Sequence, residues 1–140
     1  MTLATPTLRA LAIRLIAEER EADALLAAFH ACDRLGLSLT KAVGPAGFHS
    51  LLSRALALSQ KEIPALKDVR ILPDGTLNDL SQQADPAEKD ALTSGATVLL
   101  AQLLGLLHAF IGEPLTMQLV KEAWPEVFTR INIPKKGNTP

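Results

Sequence analysis

The longest uninterrupted apolar pattern in the chain predicts a helix over 86–111. Beyond its first five residues, this stretch contains no Asp, Glu, Lys or Arg. Its leucines recur at spacings that, at about 100° per residue, cover most of a helix circumference. Asp85 is a good N-cap, Pro86 suits the first helical position, and Glu88 can complete a capping box. Gly112 offers the C-cap, so both ends of the helix are marked.

A helix that is apolar nearly all round is either the core helix of a domain or a membrane span. Polar side chains interrupt this run, and no cluster of Lys or Arg sets an orientation across a bilayer. We therefore expect a buried central helix and no membrane partner. One face of the predicted helix consists of small residues apart from one histidine, so another helix could pack closely against it. We call this face the small-residue stripe, and its members are Ser94, Thr97, Ala101, Gly105, His108 and Gly112.

The first part of the chain has a one-sided helical pattern from Pro6 onward. No glycine or proline interrupts it until Gly36, so a single helix over 6–35 is the preferred interpretation. The charged run over 18–21 crosses the apolar face. Two helices divided near Glu21 are therefore the alternative.

Two more helices are predicted on either side of the central one. The sequence Gly-Pro-Ala-Gly at 44–47 predicts a break between a short helical turn over 37–43 and a helix that starts at Phe48. Pro64 either closes that helix or begins one further turn. After the central helix, residues 114–123 have an amphipathic pattern. The side chains expected to face inward there are Leu115, Leu119 and Val120.

The stretch near 68–80 is not helical in pattern, because Pro73-Asp74-Gly75 favours a turn between apolar positions. It predicts a small β-hairpin or an extended excursion. Residues 134–140 have nothing to bury and are expected to form a flexible C-terminal tail. The predicted fold class is therefore all-α: a single domain over 1–133, built as a bundle of four to six helices around 86–111.

Composition limits the classes of partner. The 140 residues are 48% hydrophobic, which suffices for one core, and the formal net charge of -1 creates no global field for nucleic acid or an anionic membrane. Aromatic residues make up 4%, too few for a base-stacking surface. The single cysteine, Cys32, excludes an internal disulfide, and no secretory signal pattern is recognisable. We expect a cytoplasmic protein.

No set of residues predicts a catalytic, cofactor-binding or metal-binding centre. His30 and Cys32 are about 200° apart on a helix, so one ion could not easily take both. The serines in the helix after Phe48 lack the sharp Gly-x-Ser-x-Gly turn of a nucleophile. A metal site could join the histidines His30, His49 and His108 from three helices, but nothing in their spacing indicates such a site.

By elimination, the sequence predicts a non-catalytic protein–protein interaction module, a small adaptor or regulatory domain that binds a protein partner or a second copy of itself. The chain has more leucine surface than its length can readily hide, which favours a homodimer. Aromatic residues are enriched at interface hot spots, and the small-residue stripe contains one histidine. The predicted interaction residues are Trp124, Phe128, Phe110 and His108.

Two alternatives come from other functional classes. Residues 37–59 have the parts of a helix-turn-helix, with His49 and Arg54 as the residues that would contact DNA, although basic residues there are few. The second alternative is a helical domain that binds a small apolar ligand, in which the small-residue stripe would line a cavity.

Overall fold

The computed structural model describes residues 5–78 and 84–126, and within them the fold is all-α, as predicted. There are four α-helices and one 3-10 helix in the described part of the chain, and no β-strand. In chain order they are α1 (Thr5–Ala17), α2 (Ala24–Glu62), the 3-10 helix (Pro64–Asp68), α3 (Pro86–Ile111) and α4 (Glu113–Ala123). The predicted tail over 134–140 lies outside the described residues.

The prediction of a helix over 86–111 is confirmed by α3, including both of its caps. The Asp85 carboxylate accepts a hydrogen bond from the Glu88 backbone N–H at 2.8 Å, and the Glu88 carboxylate accepts one from the Asp85 N–H at 3.0 Å. Gly112 ends the helix with a φ of +88°, a conformation that L side chains rarely adopt.

The core of the molecule lies around α3. This helix contacts α1, α2, α4 and the 3-10 helix, and most extensively α2. Full burial of one leucine side chain stabilises the folded chain by about 1.5–3 kcal/mol. Five leucines of α3 are completely buried: Leu99, Leu100, Leu103, Leu104 and Leu107.

By length and composition, α3 also has the properties of a membrane span. Its most apolar window of 18 residues has a mean hydropathy of 1.7, and half of that window is buried inside the chain. The core helix of a soluble protein has the same properties. Hydropathy alone therefore does not distinguish the two, whereas the packing of every other described helix against α3 is the arrangement of a core helix.

The preferred interpretation of 6–35 as one helix is wrong, and the alternative division near Glu21 is confirmed. Arg20 leaves the helical conformation with a φ of +55°, and Asp23 then starts α2 as its N-cap. The Asp23 carboxylate accepts backbone hydrogen bonds at the start of α2 and also contacts Lys89 Nζ of α3 at 3.1 Å. A new cap that also pairs with another helix therefore outweighs the continuous local pattern.

Gly36 does not end a helix either, because α2 continues through it and bends at Gly44. Gly44 has a φ of +82° and a ψ of 163°, so the predicted break over 44–47 is limited to one residue. Pro45 then begins the C-terminal half of α2. Gly36 instead admits the ring of Phe48: a Cβ atom on Gly36 would lie 2.6 Å from Phe48 Cζ. The glycine serves packing between the two halves of α2 rather than helix termination.

The predicted β-hairpin is not confirmed. In its place, Ile71 and Leu77 form one isolated antiparallel bridge. Between them the Leu72 N–H donates to the Thr76 carbonyl oxygen at 2.7 Å. We call residues 71–77 the turn segment. Its two ends are too short to form strands, and it depends on α2 for support.

The orientation of α4 differs from the prediction at one position. Leu119 and Val120 are buried as expected, but Leu115 is 51% exposed. Thr116 takes the inward position, and its hydroxyl donates to the Gly112 carbonyl oxygen at 2.8 Å. This hydrogen bond removes the cost of burying the hydroxyl, so Thr116 can occupy the inner face and Leu115 is turned outward.

The close packing of α3 predicts opposite effects for the same substitution at two of its glycines. A Cβ atom on Gly95 would lie 2.6 Å from Leu66 Cγ, whereas one on Gly105 would make an ordinary contact of 3.4 Å with Leu8. We expect Gly95→Ala to lower the free energy of unfolding by about 1–3 kcal/mol through overpacking. Gly105→Ala should be neutral or stabilise by up to about 1 kcal/mol through helix propensity.

Urea denaturation followed by circular dichroism measures both changes. Because the two variants share a helix and a substitution, they differ mainly in what the added methyl group meets. Equal destabilisation of both variants would contradict the packing of the 3-10 helix against α3.

Candidate interaction surface at the α3–α4 corner

Two large apolar side chains are exposed around the junction of α3 and α4. Phe110 is 66% exposed and Leu115 is 51% exposed. We call residues 108–116 the α3–α4 corner. The other exposed large hydrophobic side chains in the described part of the chain lie on other elements: Ile13, Leu37 and Leu72. The corner is therefore the place where two such side chains occur close together in sequence.

The backbone of the corner is held by hydrogen bonds on both sides of Gly112. The Gly112 N–H donates to the His108 carbonyl oxygen at 3.0 Å, and the Gly112 carbonyl oxygen accepts from the Thr116 N–H at 3.1 Å. Pro114 restricts the first turn of α4 further. Phe110 and Leu115 are thus presented by a fixed backbone rather than by a loop, which lowers the entropy cost of binding.

His108 is the first residue of this corner and lies in the last turn of α3. Its side chain is 9% exposed, and its Nε2 atom has no hydrogen-bond partner in the described part of the chain. The nearest acidic group is the Glu113 carboxylate, whose Oε1 lies 3.9 Å away. This distance is outside hydrogen-bond range and allows an ion pair only when the imidazole is protonated.

The corner has very little charge. From residue 91 to residue 120, Glu113 is the only Asp, Glu, Lys or Arg. A surface of this kind offers no electrostatic attraction to a polyanion or to a strongly charged peptide. Its chemistry suits another apolar protein surface.

Trp124, another predicted interaction residue, lies inside the chain. It is 3% exposed, and its indole N–H donates to Glu19 Oε2 at 3.0 Å. The guanidinium of Arg34 lies over the indole ring, 5.8 Å from its centroid. In this conformation the indole packs in the core and presents almost no surface to a partner.

Glu19 is the centre of this small network. Its side chain is 6% exposed and accepts two hydrogen bonds from Arg34, at 2.9 and 3.2 Å, in addition to the one from Trp124. The network joins the segment after α1 to α2 and to the end of α4. The sequence analysis missed Glu19, because it lies within a charged run that resembles a solvated surface.

The same contacts set the direction of α4 against α2. Arg34 Nη1 donates to the Ala123 carbonyl oxygen at 3.3 Å, and Ser38 Oγ donates to the Leu119 carbonyl oxygen at 3.1 Å. One turn forward on α2 is therefore one turn back on α4, so the helices are antiparallel. The contact buries Ser38 and leaves the outer face of α4, including Leu115, in solvent.

The remaining predicted site residues do not come together in one place. Phe128 lies outside the described residues. His49 and Arg54 are both exposed on the C-terminal half of α2, and His49 Nδ1 lies 3.4 Å from Ser53 Oγ. At 3.6 residues per turn, His49 and Arg54 are about 140° apart, so they do not form one recognition face.

The small-residue stripe is partly filled by α1, because Leu8 lies against Gly105. A cavity of about 110 Å³ lies between these helices. Pockets that hold drug-sized ligands are about 300–1,000 Å³, so this cavity is too small for most apolar ligands. At Gly105 the stripe is therefore a contact with α1.

In the described part of the chain, no group of three or more His, Cys, Asp or Glu side chains is arranged to hold a metal ion. Cys32 is 2% exposed, and burial raises the pKa of its thiol far above the ordinary value, so the thiol is not a reactive one. Comparison with protein-family models, with curated proteins and with solved structures gives no match for this chain. The assignment of a function therefore depends on the chemistry of these surfaces.

The Glu19 network predicts that one buried carboxylate stabilises the junction of three segments. We expect Glu19→Gln to lower the free energy of unfolding by about 1–2 kcal/mol, because it weakens charge-assisted hydrogen bonds from Trp124 and from the half-exposed Arg34. Denaturation followed by fluorescence measures this directly, since Trp124 is the only tryptophan in the chain.

Glu122→Gln is the matched control, because Glu122 is an exposed glutamate of α4. Its stability should stay within about 0.5 kcal/mol of the original chain. If both variants lose the same stability, the Glu19 network has no special role.

Proposed function

We propose that this chain is a small bundle of helices that acts as a non-catalytic interaction module in the cytoplasm and self-associates through the α3–α4 corner. The observation that supports this most directly is the pair of exposed side chains, Phe110 and Leu115, on a backbone that hydrogen bonds hold rigid. Exposed apolar groups that are rigidly presented are typical anchors of protein interfaces.

A second copy of the chain is the partner that this surface fits best. The formal net charge of -1 gives two copies little mutual repulsion, and Glu113 is the only formal charge between residues 91 and 120. A two-fold axis beside the corner would place the exposed apolar side chains of the two copies against each other, as in the self-complementary patches of most homodimers. The outer face of α4 would then supply the polar rim.

The experiment is sedimentation of the original chain and of two variants, Phe110→Ser and Leu115→Ser. The original chain should dimerise. Each substitution removes apolar contact that is worth about 1.5–3 kcal/mol when buried, so the dimer dissociation constant should rise about tenfold or more. Circular dichroism should show that both variants keep their helix content, because both side chains are exposed in the monomer.

Leu72→Ser is the control. Leu72 is also an exposed leucine, but it belongs to the turn segment, whose Gly75 lies against Phe48 of α2, whereas α4 contacts Arg34 and Ser38. Its substitution should leave the dissociation constant unchanged. A chain that stays monomeric at high micromolar concentration would overturn the proposal, and so would dimerisation that is weakened equally by all three substitutions.

A further inference from the structure

A groove of about 490 Å³ lies between the 3-10 helix and the beginning of α3. This volume is within the range of about 300–1,000 Å³ that is usual for small-molecule pockets. Part of the lining is apolar and includes Pro64, Ala65 and Leu92, of which Leu92 is 5% exposed. We call this cavity the α3 groove. The proposed dimer surface does not include it.

Both walls of the α3 groove are held in place by contacts within the chain. In the 3-10 helix, Leu66 packs so closely on α3 that a Cβ atom on Gly95 would lie 2.6 Å from its Cγ. Gln60 Nε2 donates to the Leu66 carbonyl oxygen at 3.1 Å. On the other wall, the capping box of Asp85 and Glu88 fixes the first turn of α3. Walls that are already fixed lower the entropy cost of binding a ligand.

Three formal charges line the α3 groove: Lys67 and Asp68 of the 3-10 helix, and Glu88 of α3. Within the described residues, neither Lys67 nor Asp68 forms an ion pair. The capping bond to the Asp85 N–H uses one oxygen of Glu88, Oε1, so its second oxygen can still accept. The groove therefore offers one ammonium group and two carboxylates to a ligand.

We propose that the α3 groove binds a free amino acid with an apolar side chain, of which leucine is the example. The ammonium group of the ligand pairs with Asp68 and Glu88, its carboxylate pairs with Lys67, and its side chain covers the apolar lining at Leu92. A zwitterion matches both signs of charge in the groove. A simple carboxylic acid would meet two like charges, and a simple amine would leave Lys67 without a counter-ion.

The α3 groove is remote from the proposed dimer surface. Leu92 and Phe110 are about 27 Å apart along α3 at a rise of about 1.5 Å per residue. Binding in the groove and self-association at the α3–α4 corner therefore depend on different residues. Each proposal can fail while the other holds, and a chain that stays monomeric can still bind an amino acid.

Titration of the isotope-labelled intact chain with L-leucine, followed by the NMR shifts of its amides, tests the proposal. The amides of Lys67, Asp68 and Glu88 should shift and saturate, with a dissociation constant on the order of 1 mM or lower. Those of Phe110 and Leu115 should not shift. Leucinamide lacks the carboxylate and isocaproate lacks the ammonium group, so each should bind at least about threefold more weakly.

Two variants isolate the charges of the groove. Lys67→Gln and Asp68→Asn should each weaken leucine binding at least about threefold. Lys67→Gln should not weaken the binding of leucinamide, because that ligand has no carboxylate for Lys67 to pair with. Asp90→Asn is the matched control, since Asp90 is an exposed carboxylate of α3 that does not line the groove. It should leave leucine binding unchanged.

A third variant, Ala65→Leu, fills part of the α3 groove without changing a charge. It should abolish leucine binding while circular dichroism shows that the helix content is kept. The proposal is overturned if leucine at about 20 mM shifts no amide of the groove. It is also overturned if isocaproate binds as tightly as leucine, or if Lys67→Gln weakens leucine and leucinamide equally.

Discussion

The need to bury an uncharged helix governs the rest of this structure. From residue 91 onward α3 has no formal charge, five of its leucines are fully buried, and the helix contacts every other described helix. Because no face of α3 is strongly polar, the chain must surround it rather than cover one side. Within the described residues, the bend at Gly44, the cap at Asp23 and the corner at Gly112 are three of the points at which the chain changes direction to do so.

Polar groups that this packing buries are nearly all satisfied locally. Ser59 and Thr116 donate to carbonyl oxygens one turn earlier in their own helices, and Ser38 donates across to α4. Such bonds remove most of the cost of placing a hydroxyl in the core. His108 differs, since its Nε2 atom is buried without a partner among the described residues. The polar atom that is least well accommodated thus lies in the α3–α4 corner, two residues before the exposed Phe110.

The parts of the fold that local chemistry determines could be predicted from the sequence. The ends of α3 depend on Asp85, Glu88 and Gly112, whose hydrogen bonds are to residues no more than about one turn away. The parts that could not be predicted depend on partners distant in sequence. Glu19 is buried only because Arg34 and Trp124 reach it from other segments, and these contacts are invisible in a periodic pattern. Likewise, the outward position of Leu115 follows from how α4 lies against α2, not from its own spacing.

The same distinction separates the exposed from the buried members of the predicted interaction residues. Phe110 was predicted at an interface from its residue type, and it is 66% exposed near the end of α3. Trp124 has the same residue type, but its indole has an internal acceptor in Glu19. Residue type therefore identifies side chains that bury well, whereas the availability of partners within the chain decides which of them remain for another molecule. By this criterion Phe110 and Leu115 qualify and Trp124 does not.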